Sequence, residues 1–181
     1  LGPEESAQMV AFLKGLKGKR TILLIEHDMD AVFALADRIS VMHQGRIVQA
    51  ASPIEVYRNP AAEFVAGFIG NPPMNFLPAA PAGAGKWSVA GQVLDGPGGG
   101  SGLKFAVRPE DLHPADSGFQ ARAKVVEPLG AHLLVTCEVE GALFRAVLDS
   151  DLTVRPGEVL TLAPQPDRVR WFDPDTTLAV A

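Results

Sequence analysis

The sequence predicts an α/β portion followed by an all-β portion, and three observations carry that fold class. Residues 22–25 form an uninterrupted aliphatic run between two stretches of helical periodicity, which is typical of a strand buried in a parallel sheet. Residues 78–86 consist mostly of Pro, Ala and Gly, the composition of a linker. Beyond them, apolar residues recur at every second position over residues 133–139, which is the period of a β-strand.

The first elements of the α/β portion are a helix, a strand and a second helix. Pro3 is suited to a first helical position, and Gly18 is suited to follow a helix end. The apolar face of this helix should pack on a strand at residues 21–26. Asp28 can cap the next helix, which is expected over residues 29–36.

A hairpin and two short helices are expected next. Residues 39–43 and 46–50 read as strands joined at Gln44-Gly45. Ser52 and Glu55, with Pro53 between them, form a capping box that opens a short helix. Another helix should begin at Pro60 and place three residues inward, namely Phe64, Val65 and Phe68.

The all-β portion should form a small barrel that folds from about Pro78 onward without the α/β portion. The alternation over residues 133–139 continues after Gly141 over residues 142–148, which predicts a hairpin. Further short strands are expected at residues 87–94, 103–107, 119–126, 159–163 and 168–172. Many short strands at this spacing indicate a barrel.

Composition restricts the functional class. The chain has 181 residues, 47% of them hydrophobic, and a net charge of −5 without a basic stretch, so we expect no nucleic-acid partner. No apolar run approaches the roughly 18 residues of a membrane span, so no direct membrane insertion is expected. The single Cys137 favours a cytosolic protein and should be a small core residue.

Other chemically reactive residues give weak signals. His43, His113 and His132 lie too far apart to suggest a metal site, so surface positions are expected for them and no metal is assigned. Residues 108–111, Arg-Pro-Glu-Asp, could be a charged turn that holds the barrel together or a regulatory or dimer contact. The structural interpretation is favoured, because Pro fixes the turn and charged neighbours need only solvation.

His27 is the strongest candidate site residue. It follows the predicted buried strand, and ligands of open α/β sheets bind at the carboxyl ends of strands. The segment Glu26-His27-Asp28 and residues 36–42 resemble the switch-histidine region of ATP-binding-cassette (ABC) transporter ATPases. Residues 45–47, 52–57 and 64–77 are similar to the end of that cassette in importers of sugars and glycerol-3-phosphate. The remainder, notably residues 107–111 and 125–130, resembles the transport-associated OB (TOBE) regulatory domain.

The resemblance implies a domain organisation and a set of roles. Residues 1–77 would be the C-terminal part of a RecA-like nucleotide-binding domain, residues 78–86 a linker, and residues 87–181 an OB-type regulatory barrel. His27 would act as a catalytic residue at the γ-phosphate of ATP, and Gly2 would lie in the D-loop. The full-length parent would use ATP and Mg, pair with a second copy, and bind membrane-spanning permease subunits at the cytoplasmic face of the membrane. It would couple ATP hydrolysis to solute uptake.

Two sets of residues point to different cargoes. The long similarity over residues 64–77 and the TOBE-like part favour sugar or glycerol-3-phosphate. Gly2, Glu26 and Met29-Asp30 instead resemble the ATPases of branched-chain amino-acid importers.

The sequence has no phosphate-binding loop, signature loop or Walker B strand. Gly85-Lys86 fails the loop pattern, since Ala80 stands at the first glycine and Trp87 replaces the Ser or Thr. We therefore expect the C-terminal fragment of an ATPase, inactive alone and without tightly bound cofactor. The alternative is a non-catalytic module that binds a small molecule or a regulator and carries an ABC remnant.

Overall fold

A computed structural model describes residues 3–180, and the side chains of residues 4–180. It divides into two compact units at Pro60 and Ala61. Among the described residues, no helix combines the length and the apolar character needed to cross a membrane.

The described part of the first unit, residues 3–60, contains three α-helices and one hairpin. Helix α1 (Pro3–Leu16) and helix α2 (Met29–Leu35) precede strands β1 (Ile39–His43) and β2 (Arg46–Ala51), and helix α3 (Pro53–Arg58) follows. Strands β1 and β2 pair antiparallel through the Gln44-Gly45 turn, as predicted. Ser52 accepts a hydrogen bond from the Glu55 amide at the start of α3, which confirms the predicted cap.

The predicted buried strand at residues 21–26 is wrong for this chain. Residues 21–28 carry no strand pairing, and Leu23 and Ile25 are each 91% exposed. Phe12, an apolar residue of the helix α1 that is expected to pack on this strand, is 68% exposed. A parallel strand needs hydrogen-bonding neighbours on its edges, and the part of the chain that the structure describes pairs none with this segment.

The second unit, described over residues 61–180, is β-rich and has one short α-helix there, α4 (Glu63–Phe68). Its strands are β3 (Asn75–Pro81), β4 (Lys86–Val89), β5 (Gln92–Asp95), β6 (Leu103–Val107), β7 (Leu112–Pro128), β8 (His132–Val139), β9 (Ala142–Asp149), β10 (Val159–Pro164), β11 (Arg170–Phe172) and β12 (Ala179–Val180). One sheet has the order β10-β7-β8-β9, and the other has the order β12-β11-β6-β3-β4-β5.

The two sheets of this unit share one hydrophobic core. An aromatic contact links them: the ring centroids of Phe105 on β6 and Phe119 on β7 lie 5.3 Å apart. Within the four-stranded sheet, the ring centroids of Phe119 and Phe144 on β9 lie 5.6 Å apart. The predicted hairpin β8–β9 is confirmed, with Cys137 fully buried on its inner face. The all-β character of the C-terminal part is therefore as predicted.

Three local predictions for the second unit are wrong. Residues 78–81 belong to β3 and not to an irregular linker, because they pair with β6 and β4. Residues 87–94 are not one strand but the hairpin β4–β5, turning at Ala90-Gly91. Helix α4 begins at Glu63 rather than Pro60, and Phe68 is 48% exposed instead of inward.

Candidate functional site

His27 lies at the end of the extended segment, one residue before the N-cap of α2. Its side chain is exposed and makes no hydrogen bond, ion pair or ring contact with the described residues. An exposed imidazole at a helix start is free to meet a ligand, but the structure brings no second functional side chain to it. The histidine alone does not constitute a nucleotide site.

Asp28 positions the chain directly after His27. Its Oδ1 accepts hydrogen bonds from the amides of Asp30 at 3.0 Å and Ala31 at 3.4 Å, which confirms the predicted cap of α2. The Ser6 hydroxyl of α1 donates to Oδ2 at 3.4 Å. The local order around His27 therefore comes from the cap and from α1.

The other sequence candidates do not add to a site. Gly2 lies outside the described residues, so its D-loop assignment stays a prediction. His43, His113 and His132 are exposed, as expected. No group of three or more His, Cys, Asp or Glu suited to hold a metal ion occurs within residues 3–180.

The Arg108 turn is built into the second unit. Arg108 is 2% exposed, and its Nη1 donates to the carbonyl oxygen of Ile69 at 2.7 Å. The pKa of the Asp111 carboxyl is raised, mainly by burial and next by repulsion from Glu110. The positive charges of Arg168, Arg108 and Arg170 lower this pKa and so oppose the rise. These contacts agree with the charged-turn interpretation.

Asn75 is a buried polar residue whose role is not predicted above. Its side-chain Nδ2 donates to the Arg145 carbonyl at 2.8 Å, and its Oδ1 accepts from the Arg145 amide at 2.7 Å. The carboxamide thus takes the place of a paired peptide group beside β9. The available signal was a lone asparagine within the apolar run Met74-Asn75-Phe76-Leu77, since a buried amide needs partners.

Helix α4 is anchored to the same unit. Glu63 accepts two hydrogen bonds from the Lys104 Nζ, at 2.7 and 2.9 Å, and Val65 and Ala66 are fully buried. Together with the Ile69 and Asn75 contacts, these bonds bind residues 61–77 to the β-rich unit.

This β-rich unit carries a TOBE domain, since the TOBE domain model matches residues 105–172. Along most of its length the chain is homologous to the C-terminal portion of ABC transporter ATP-binding proteins. One relative is an uncharacterized ABC transporter ATP-binding protein, y4oS, of Sinorhizobium fredii, which is 39% identical over 96% of this chain and 50% of its own length.

Two further relatives are named sn-glycerol-3-phosphate import ATP-binding protein UgpC. That of Ruegeria pomeroyi is 35% identical over 89% of this chain and 47% of its own length. That of Cupriavidus pinatubonensis is 37% identical over 84% of this chain and 47% of its own length. The chain spans about half the length of the curated relatives it matches.

Proposed function

We propose that this chain is the C-terminal portion of the ATP-binding subunit of an ABC importer, which couples ATP hydrolysis to solute uptake. The observation that carries the proposal is the similarity to ABC transporter ATP-binding proteins over 84–96% of the chain, together with the TOBE match. By the resemblance, the sequence of the nucleotide-binding portion reaches Leu77 and the regulatory domain follows, with residues 78–81 already part of strand β3.

The exposed aliphatic segment supports a RecA-like fold for the parent. Four consecutive aliphatic residues, 22–25, are costly to leave in water, and they have the composition of a strand buried on both faces. In the proposed parent, neighbouring strands of a parallel sheet cover this segment.

The residues present do not by themselves fit ATP and Mg. The 181 residues contain no phosphate-binding loop, and His27 has no partner group among the described residues. We therefore propose that the parent's other residues hold the nucleotide and the metal ion. His27 remains the proposed catalytic residue facing the γ-phosphate, with Gly2 in the D-loop.

The proposed partners and location follow from the same assignment. The parent pairs with a second copy and binds membrane-spanning permease subunits at the cytoplasmic face of the membrane. The relatives named for sn-glycerol-3-phosphate import support a sugar or glycerol-3-phosphate cargo. This inference is associational, since similarity does not identify a residue that contacts the cargo.

The reading frame upstream of Leu1 tests the proposal. We expect it to encode a phosphate-binding loop, a signature loop and a Walker B strand, and deletion of the complete gene should abolish uptake of a sugar or glycerol-3-phosphate. A closed upstream frame would favour the non-catalytic module, and a selective loss of branched-chain amino-acid uptake would refute the cargo assignment.

A further inference from the structure

The C-terminal residues pair with the first residues of the second unit. The Glu63 amide donates to the Thr177 carbonyl at 2.9 Å, and the Ala179 amide donates to the Ala61 carbonyl at 3.0 Å. Ala62 and Leu178 lie opposite each other between these two bonds, as an antiparallel bridge. Residues 61–63 therefore extend the six-stranded sheet beyond β12.

Strand β12 occupies the position between residues 61–63 and the rest of that sheet. On its other side it pairs with β11, where Val180 lies opposite Trp171 and Ala179 opposite Phe172. The backbone pairing of residues 61–63 with the sheet thus passes through the C-terminal segment, while Glu63 also contacts Lys104 of β6 through its side chain. This matters because the division between the two units falls at Pro60 and Ala61.

The same segment supplies a cap that α4 lacks in its own sequence. Ala62 is the N-cap residue, and it has no side chain able to accept a hydrogen bond from the first amides of the helix. The Thr177 carbonyl satisfies the Glu63 amide instead. The helix start is therefore ordered by residues more than a hundred positions away in the sequence.

The residue that makes this contact is held in an unfavourable conformation. Thr177 has φ = 60°, a left-handed conformation that is rare for a β-branched side chain. A turn holds it there: Asp173 Oδ1 accepts from the amides of Asp175 and Thr176, and the Thr177 amide donates to the Asp173 carbonyl. Strain lowers the free energy needed to release this contact.

We propose that residues 173–180, which we call the C-terminal strap, pair reversibly with residues 61–63 next to the junction between the two units. When the strap is fastened, residues 61–63 are paired with the sheet. When it is released, residues 61 and 62 lengthen the connection between the units, while Glu63 stays at the start of α4 through its ion pair with Lys104. The release is local, because α4 keeps its Lys104 ion pair, the Arg108 bond to Ile69 and its buried side chains. The strap's existence does not depend on the proposed ATPase activity.

Native-state hydrogen exchange on the unmodified chain tests this directly. The amides of Glu63, Asp173 and Ala179 donate to the carbonyls of Thr177, Leu178 and Ala61, so each bond involves the strap. We expect these three amides to exchange together, at least about tenfold faster than the amides of β8 and with little denaturant dependence. If these amides exchange only when the whole unit unfolds, the strap is a permanent part of the core and the proposal is wrong.

A pair of variants adds a second test. Ala179→Pro removes the amide that donates to Ala61, whereas Ala179→Ser retains it. We expect Ala179→Pro to accelerate Glu63 amide exchange and tryptic cleavage after Arg58 by about tenfold, with β8 exchange unchanged. Equal effects of the two variants, or unchanged Glu63 exchange in a folded Ala179→Pro protein, would contradict the strap.

Discussion

Single polar side chains join segments that are far apart in the sequence. Asn75 is 4% exposed and binds the backbone of Arg145 with both ends of its carboxamide, while Arg108 binds the Ile69 carbonyl. Neither partner was predictable from the sequence, because a hydrogen-bond partner 70 or 39 residues away is set by the tertiary fold. The local caps at Asp28 and Ser52 were predictable, since each lies within three residues of its partner.

Asn75→Ala should destabilise the second unit by roughly 2–4 kcal/mol, because it leaves the amide and the carbonyl of Arg145 without their partner. Urea unfolding followed by fluorescence of Trp87 and Trp171 measures the change. Gln120→Ala, which removes an exposed bond to Thr161, is the control and should cost less than about 0.5 kcal/mol. Equal losses in the free energy of unfolding for the two variants would show that the Asn75 hydrogen bonds to Arg145 do not stabilise the second unit.

Cys137 should make stability fall at alkaline pH. Burial raises the pKa of its thiol from 9.0 to about 11, so the unfolded chain ionises before the folded one does. The stabilising contribution of the buried, protonated thiol to the free energy of unfolding is fully present below pH 9 and is lost as the pH rises towards 11. In unfolding measurements over this range, wild type should lose more stability than Cys137→Ala, and parallel curves for the two proteins would refute the assignment.

At the scale of elements, local turn chemistry was the reliable signal. The hairpins at Gln44-Gly45 and Glu140-Gly141 were predicted, because glycine adopts positive φ readily between two alternating strands. The same signal at Ala90-Gly91 was missed. The strand at residues 21–26 was predicted from its aliphatic run and the helical patterns beside it, but such a pattern does not supply pairing partners.

Glu140→Asn should stabilise the β8–β9 hairpin by roughly 0.5–1 kcal/mol. Glu140 has φ = 46° and Gly141 has φ = 81°, and asparagine tolerates the left-handed conformation better than glutamate. The shift of the urea midpoint measures the gain. Glu140→Ala removes the same charge without the turn preference, so an equal gain from alanine would assign the effect to charge instead.

At the scale of the whole molecule, packing groups residues 61–77 with the TOBE-containing unit, although their sequence resembles the end of the ABC cassette. Ile69, Met74 and Leu77 are each at most 5% exposed and lie within this unit. The family could be read from several motifs in order, but this assignment of residues 61–77 depends on long-range contacts that no local pattern reveals.

Residues 61–181 should therefore fold alone, whereas residues 78–181 should not. The shorter piece lacks three of the five β3 residues that pair with β6. It also loses the Asn75 hydrogen bonds to Arg145, the Ile69 acceptor of Arg108 and the Glu63 partner of Lys104. Dispersed amide NMR signals and a cooperative urea transition are expected for the longer piece. A dispersed spectrum from residues 78–181 would place the boundary at the Pro/Ala/Gly segment instead.

The most direct test of the central claim is ATP turnover by the full-length parent carrying His27→Ala. If His27 acts on the γ-phosphate and the phosphate-binding loop supplies most of the ground-state binding, turnover should fall by about a hundredfold or more while the Kd for ATP stays within a few-fold. The 181-residue chain alone should show no Mg-dependent turnover. Unchanged turnover in the His27→Ala parent, or equal losses of turnover and ATP affinity, would contradict the proposed catalytic role.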